Sequence, residues 1–139
     1  MIKSIINQNP KELGSLTLAY LGDALYEIYI RNHVVALGGR PNALHRKTIS
    51  YVSAKAQARI IHYILPSLSE EEQAIVKKGR NAKSSTIPKN ADVIDYRYST
   101  AFEALLGYLY LNNKIDRVEE IIKSAIEYID RSNNDEQRK

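Results

Sequence analysis

Apolar residues recur at intervals of three and four along nearly the whole chain, and no run alternates with a period of two. One face of an α-helix satisfies that pattern and a half-buried strand does not. The chain therefore reads as all-α, a helical bundle. Its 139 residues, 44% hydrophobic and 26% charged, suit one domain, 1–139, around a single core.

Punctuation along the chain divides the helices. Asn9, Pro10 and Glu12 form a start signal of cap, first-turn proline and acid. Ser15 reads as the cap of a long helix that stops at Gly38 and Gly39. Asn42 reads as the cap of a third helix that ends near Leu65, because Pro66 follows. Ser69 with Glu72 is a capping box for a short helix closed by Gly79, and Glu70, Glu71 and Glu72 suit its positive end. RNAKSSTIPKNA, residues 80–91, is polar, basic and aperiodic, hence a long loop of a kind uncommon in compact domains unless it has work to do. A helix from about Asp92 to Leu111 follows, Asp116 with Glu119 opens the last one, and residues 131–139 read as a loose tail.

With no cysteine, disulfides and thiolate metal sites are excluded. The first residues lack the apolar stretch of a signal peptide, and no apolar run approaches the ~20 residues that span a bilayer. The expected address is cytoplasmic, with no membrane partner. The net charge of +4 is unevenly spread. Residues 41–65 carry four Lys or Arg and no acid, and residues 77–98 carry six against Asp92 and Asp95, so each segment sums to +4 and the remainder to −4. Two such segments on one face would attract a polyanion.

Two carboxylates interrupt apolar helices. In LAYLGDALYEIYI, residues 18–30, Asp23 follows Gly22 beside a stripe read as Leu21, Ala24, Leu25 and Ile28. A helix-interior glycine costs ~1 kcal/mol relative to alanine, and local rules are broken most often at functional sites. In STAFEALLGYLYL, residues 99–111, Glu103 stands four residues before Gly107, on the same face. If the two glycine-bearing helices cross, Asp23 and Glu103 converge. Paired carboxylates repel unless they share a proton or a divalent cation, and an all-oxygen site suits Mg²⁺ or Mn²⁺. For Asp23 the alternative is an exposed or salt-bridged acid on the polar edge of its helix. His33, His45 and His62 lack ligand-like spacing and read as surface or satisfied residues. Tyr96, Tyr98, Tyr108 and Tyr110 read as core or interface residues rather than base-stacking platforms.

LGDALYE, residues 21–27, resembles the signature helix of the ribonuclease III family, and FEALLG, residues 102–107, resembles its second motif. NALHRKTISYVSAKAQA, residues 42–58, resembles the helix that follows the signature. The likeness extends over most of residues 13–112 and is closest to the short bacterial branch, the Mini-ribonucleases III, which has no double-stranded-RNA-binding domain. It implies a ribonuclease III-like endonuclease fold, with Asp23 and Glu103 as catalytic metal ligands for Mg²⁺, which Mn²⁺ can replace. It also implies hydrolysis of duplex RNA to 5′-phosphate and 3′-hydroxyl ends, and a homodimer with one site per protomer. The implied substrate is the large-subunit ribosomal RNA precursor, with a ribosomal protein as a further partner. Lys77, Lys78, Arg80, Lys83 and Lys89 are then candidate RNA contacts, with Arg46, Lys47, Lys55 and Arg59 on the preceding helix. The longer enzymes carry further acids where this chain has Leu16, Ala19 and Thr100. Glu27, one turn after Asp23, reads as a solvated helix acid, with a compensating ligand as the alternative. The competing function is a catalytically silent scaffold that binds duplex RNA; a helical DNA-binding adaptor gives no reason for acids beside glycines in two apolar helices.

Overall fold

A computed structural model describes residues 4–83 and 87–138. Among these residues, six α-helices follow a short 3₁₀ turn at Pro10–Glu12: α1 (Ser15–Leu37), α2 (Pro41–Val52), α3 (Ala54–Ile64), α4 (Glu70–Arg80), α5 (Val93–Leu111) and α6 (Ile115–Arg138). They contain no strand. None of the helices is long and apolar enough to cross a membrane among the described residues.

The helix in the middle is α5. Ala101, Phe102, Ala104, Leu105, Leu106, Tyr108 and Leu109 are all buried, so it is apolar on every side, as a helix must be when others surround it. It packs against α1, α3, α4 and α6. Asp92 caps it, its side chain accepting from the Asp95 amide, and Asn113 at φ 59° turns the chain into α6. Phe102 meets the wholly buried Tyr26 of α1 edge-on at 5.0 Å. Tyr26 donates to the Tyr51 carbonyl at 3.0 Å, and Tyr51 in turn donates to Asp130, which also lies 3.1 Å from His33 Nε2. That chain of polar contacts ties α1 and α2 to α6. On the far side Arg117 of α6 forms a two-pronged ion pair with the buried Glu72 of α4, both contacts at 2.8 Å.

Several helix limits differ from the expectation. Gly14, not Ser15, occupies the cap position of α1, and Ser15 is its buried first residue. The single helix expected from Asn42 to Leu65 is two. Arg40 is the cap residue of α2 and Pro41 its first residue, and Ser53 breaks the run with ψ 154°. The Ser53 side chain then accepts from the Ala56 amide at 3.1 Å and so caps α3. Ser69 and Glu72 do form a complete capping box. Gly79 does not end α4; it lies buried inside the helix, where a Cβ would come within 2.8 Å of the Ala101 Cα, and Asn81 is the C-cap. Residues beyond 130 continue α6 to Arg138 instead of forming a loose tail. Arg131 donates to the Tyr63 hydroxyl at 2.8 Å and Asn133 to Ser50 at 3.4 Å, which fastens this end to α2 and α3.

The buried stripe of α1 is also rotated from the one expected. Leu18, Gly22, Leu25, Tyr26, Ile30 and Val34 face the core, whereas Ala24 and Ile28 are exposed and Leu21 is half-buried. Leu16, Tyr20, Ile28 and Val35 form a second apolar face turned to solvent.

Candidate metal centre at the crossing of two helices

Two glycines set the geometry of the site. A Cβ on Gly22 would stand 1.7 Å from the Glu103 carbonyl oxygen, and one on Gly107 would stand 2.0 Å from the Leu18 carbonyl oxygen. The backbones of α1 and α5 thus touch reciprocally, at a distance only glycine permits. Asp23 follows the first glycine and Glu103 precedes the second by one turn, so the crossing delivers both carboxylates to the same edge. Asp23 is exposed and Glu103 half-buried, which leaves the pair open to a ligand on the Asp23 side.

Glu103 is held well above the usual carboxylate range, up to about 9. Burial is the largest cause, followed by its hydrogen bond to Asp23 and the charge of Asp23, with Glu27 adding to the repulsion. Gln57 acts in the opposite sense, through a side-chain hydrogen bond that favours the charged form. Neither Asp23 nor Glu103 forms an ion pair among the described residues, and two adjacent carboxylates with only oxygen donors fit a hard divalent ion, which would relieve their repulsion as a shared proton otherwise must. Gln57 adds a buried oxygen, Oε1, that no donor reaches. Among the described residues, no group of three or more His, Asp or Glu forms a metal-holding cluster, so the protein donors are these few.

The other expected participants fall differently. Glu27 pairs with Arg31 at 2.7 Å. Thr100 is buried, and its hydroxyl donates to the Tyr96 carbonyl at 3.1 Å. Thr100 and Leu16 meet in one cavity of about 280 Å³ whose charged walls are Lys83 and Arg97. His62 is satisfied by the Ala58 carbonyl at 2.7 Å and His33 by Asp130, in keeping with the structural roles expected for them. Lys77, Lys78, Lys83 and Lys89 are exposed. Arg80 lies over the Tyr98 ring at 6.0 Å, and His62 packs on the same ring at 4.3 Å, which brings the end of α4 to the face of α3. Arg59 reaches Tyr128 at 5.6 Å instead, and Lys47 donates to the Gly38 carbonyl at 2.7 Å, closing the end of α1. Gln57 and Arg97 were not singled out from the sequence. The only signal for Gln57 was an amide among the alanines and isoleucines of α3.

Residues 16–114 match the family model described as the ribonuclease III domain. The chain belongs to the ribonuclease III family. Mini-ribonuclease 3 of Brevibacillus brevis is 49% identical over 131 residues, covering 94% of this chain and 98% of the relative. Mini-ribonuclease 3 of Enterococcus faecalis is 52% identical over 126 residues, covering 88% and 96%. These similarities place the chain in the Mini-ribonuclease 3 branch of the ribonuclease III family. A crystal structure of a Fusobacterium nucleatum protein, 33% identical, superposes with a TM-score of 0.79 over 87% of this chain and 98% of that one. The all-α ribonuclease III fold expected from the motifs is therefore the fold of this chain.

Proposed function

We propose that this chain is a metal-dependent endoribonuclease that hydrolyses phosphodiesters in double-stranded RNA, with the large-subunit ribosomal RNA precursor as its substrate. The observation that carries the reading is the juxtaposition of Asp23 and Glu103 where α1 and α5 cross. The precursor rests on the likeness to the Mini-ribonucleases III alone, as do a ribosomal protein partner and a cytoplasmic address. Asp23 and Glu103 would hold Mg²⁺ or Mn²⁺, which would supply Lewis-acid polarisation of the phosphate and activation of the attacking water. The water oxygen bonds to phosphorus and gives up a proton to solvent while the bond from phosphorus to the 3′ oxygen breaks and that oxygen takes one up, leaving 5′-phosphate and 3′-hydroxyl ends.

Phosphates flanking the cut are met by Lys77, Lys78, Arg80, Lys83 and Lys89. To these we add Arg97, which shares the cavity of Leu16 and Thr100 with Lys83. None of the four lysines has a carboxylate partner among the described residues, so their charge is free for phosphate, and binding weakens steeply with salt.

The test is cleavage of long duplex RNA in Mg²⁺ at low salt by the parent and by Asp23→Asn. The parent cuts, and the variant binds with similar affinity while losing at least about 10³-fold in rate, or roughly 4 kcal/mol of transition-state stabilisation. If both bind and neither cuts, even on a structured ribosomal precursor, the chain is a duplex-RNA scaffold instead.

Cutting both strands calls for two sites, and we place the homodimer contact on the exposed apolar face of α1. Tyr20 is 84% and Ile28 63% exposed there, and exposed apolar patches of this kind mark contact surfaces. The parent is expected to sediment as a dimer at micromolar concentration, and Ile28→Lys to shift it at least tenfold toward monomer. A parent that is monomeric at tens of micromolar removes this contact from the proposal.

A further inference from the structure

The cavity of about 280 Å³ that Leu16 of α1 and Thr100 of α5 share with Lys83 and Arg97 lies beside the carboxylate pair. Thr100 stands one turn, about 5 Å, before Glu103 on α5, and Leu16 two turns before Asp23 on α1. Both spacings return to the same helix face, so the cavity adjoins the edge that the two acids occupy.

A gap left by imperfect packing is lined by apolar atoms. This one has two cationic walls and, among the described residues, no carboxylate. Neither the Lys83 nor the Arg97 side chain forms a hydrogen bond or ion pair among the described residues. The acids closest to Arg97 in sequence are engaged elsewhere: Asp92 caps α5, and Asp95 lines a separate cavity with Arg59 and His62. A guanidinium and an ammonium on one space, with nothing to neutralise them, suit a phosphate.

The remaining wall suits a sugar. Thr100 is 7% exposed, and its hydroxyl donates to the Tyr96 carbonyl at 3.1 Å. With that hydrogen committed, Thr100 Oγ1 can only accept a further bond. A ribose 2′-hydroxyl supplies the donor, whereas a deoxyribose would bury the oxygen without one. Leu16 and Ile87 offer apolar surface to the carbons of the sugar.

We propose that this cavity is a ribose-phosphate subsite for the strand that is cut, with Arg97 and Lys83 on one backbone phosphate and Thr100 Oγ1 accepting from the 2′-hydroxyl of the attached sugar. The chain then tells RNA from DNA here. This rests on the endoribonuclease reading above and adds to it the group that is recognised.

The experiment measures Kd for a short RNA duplex in chelator, and kcat/KM in Mg²⁺, for duplexes whose 2′-hydroxyls flanking the cut are replaced one at a time by hydrogen. Thermal unfolding checks that each variant is folded. For the parent, one position is expected to weaken binding and cleavage about tenfold. Thr100→Val keeps the shape and removes the acceptor; it loses about tenfold on the all-RNA duplex and is indifferent to the replacement at that position, so the two changes are not additive. Thr100→Ser keeps the preference of the parent. Arg97→Met weakens binding of every duplex about tenfold and lowers the salt slope by about one. A parent indifferent to every replacement, or a Thr100→Val with the full sensitivity of the parent, overturns the inference; if that parent still cuts, the endoribonuclease reading stands. A parent that binds with the expected preference and does not cut overturns that reading and leaves the subsite. Arg97 is exposed, so Arg97→Met folds even where Thr100→Val does not, and parental affinity and salt slope in Arg97→Met also overturn the inference.

Discussion

Glu103→Gln is expected to make the metal-free protein more stable at neutral pH and to abolish cleavage. The folded protein holds the Glu103 proton up to about pH 9, whereas the unfolded chain releases it near the ordinary value of 4.5. Between those limits the folded state binds more protons than the unfolded one, so stability declines as pH rises. The contribution of this group is complete below pH 4.5 and is lost as pH climbs toward 9. Glutamine keeps an oxygen for Gln57 and an N–H for Asp23 but has no proton to lose. The variant should therefore gain on the order of 2 kcal/mol at pH 7, roughly 5–10 °C in Tm, and show a flatter pH dependence. Added Mg²⁺ should reverse the ranking, since it stabilises only the parent, by an amount that grows with concentration. The loss of cleavage should be at least about 10³-fold. Unfolding curves at pH 5, 7 and 8.5, with and without Mg²⁺, decide the matter. A Glu103→Gln variant less stable than the parent at pH 8.5 without metal would mean that the carboxylate pair is not under repulsion, and the metal assignment would lose its electrostatic basis.

The acids were legible in the sequence because they break rules that a helix otherwise follows. Glycine and carboxylate inside apolar runs, at 22 and 23 and again at 103 and 107, mark the two helices as ones whose acids converge if they cross, and the backbone contacts at those glycines are that crossing. The capping box at Ser69 and the limits of α5 were legible for a similar reason: each is written in a few adjacent residues. Features that depend on what lies across the chain were not. The orientation of α1 could not be read, because the helix is apolar on two sides and the pattern alone does not say which side faces α5. Gly79 reads locally as a stop, yet its role is to admit the Ala101 backbone from another helix. Ser53 offered the chemistry of a cap, but nothing local required the helix to break there. Gln57 could be seen as an amide among alanines and isoleucines; that it reaches Glu103, about fifty positions away, follows from packing alone.

Gly22→Ala and Gly107→Ala put the crossing itself under test. Alanine favours an isolated helix over glycine by about 1 kcal/mol, so local propensity alone predicts that both variants are stabilised. Tertiary contact predicts the reverse by a wider margin. The new Cβ at 22 would lie 1.7 Å from a backbone oxygen, and relief to an ordinary 3.4 Å requires a displacement of 3.4 − 1.7 = 1.7 Å. No side chain can absorb this by changing rotamer, because the obstructing atom belongs to the backbone of α5. The helices must part, and the buried contacts of Leu18, Tyr26, Phe102 and Leu105 between them thin out together. We expect a loss of about 4 kcal/mol or more for Gly22→Ala, slightly less for Gly107→Ala at 2.0 Å, and less again for Gly79→Ala at 2.8 Å. Denaturant midpoints should fall in that order. Since a domain of this size holds only about 5–15 kcal/mol in all, the first variant is to be examined in the cold. Whatever fraction folds has its helices parted, which separates Asp23 from Glu103 while leaving the exposed lysines of the 77–89 segment where they were. Such protein should bind duplex RNA and fail to cut it. A Gly22→Ala protein as stable and as active as the parent would mean that α1 and α5 do not cross in contact, and the carboxylate pair would then have no structural cause.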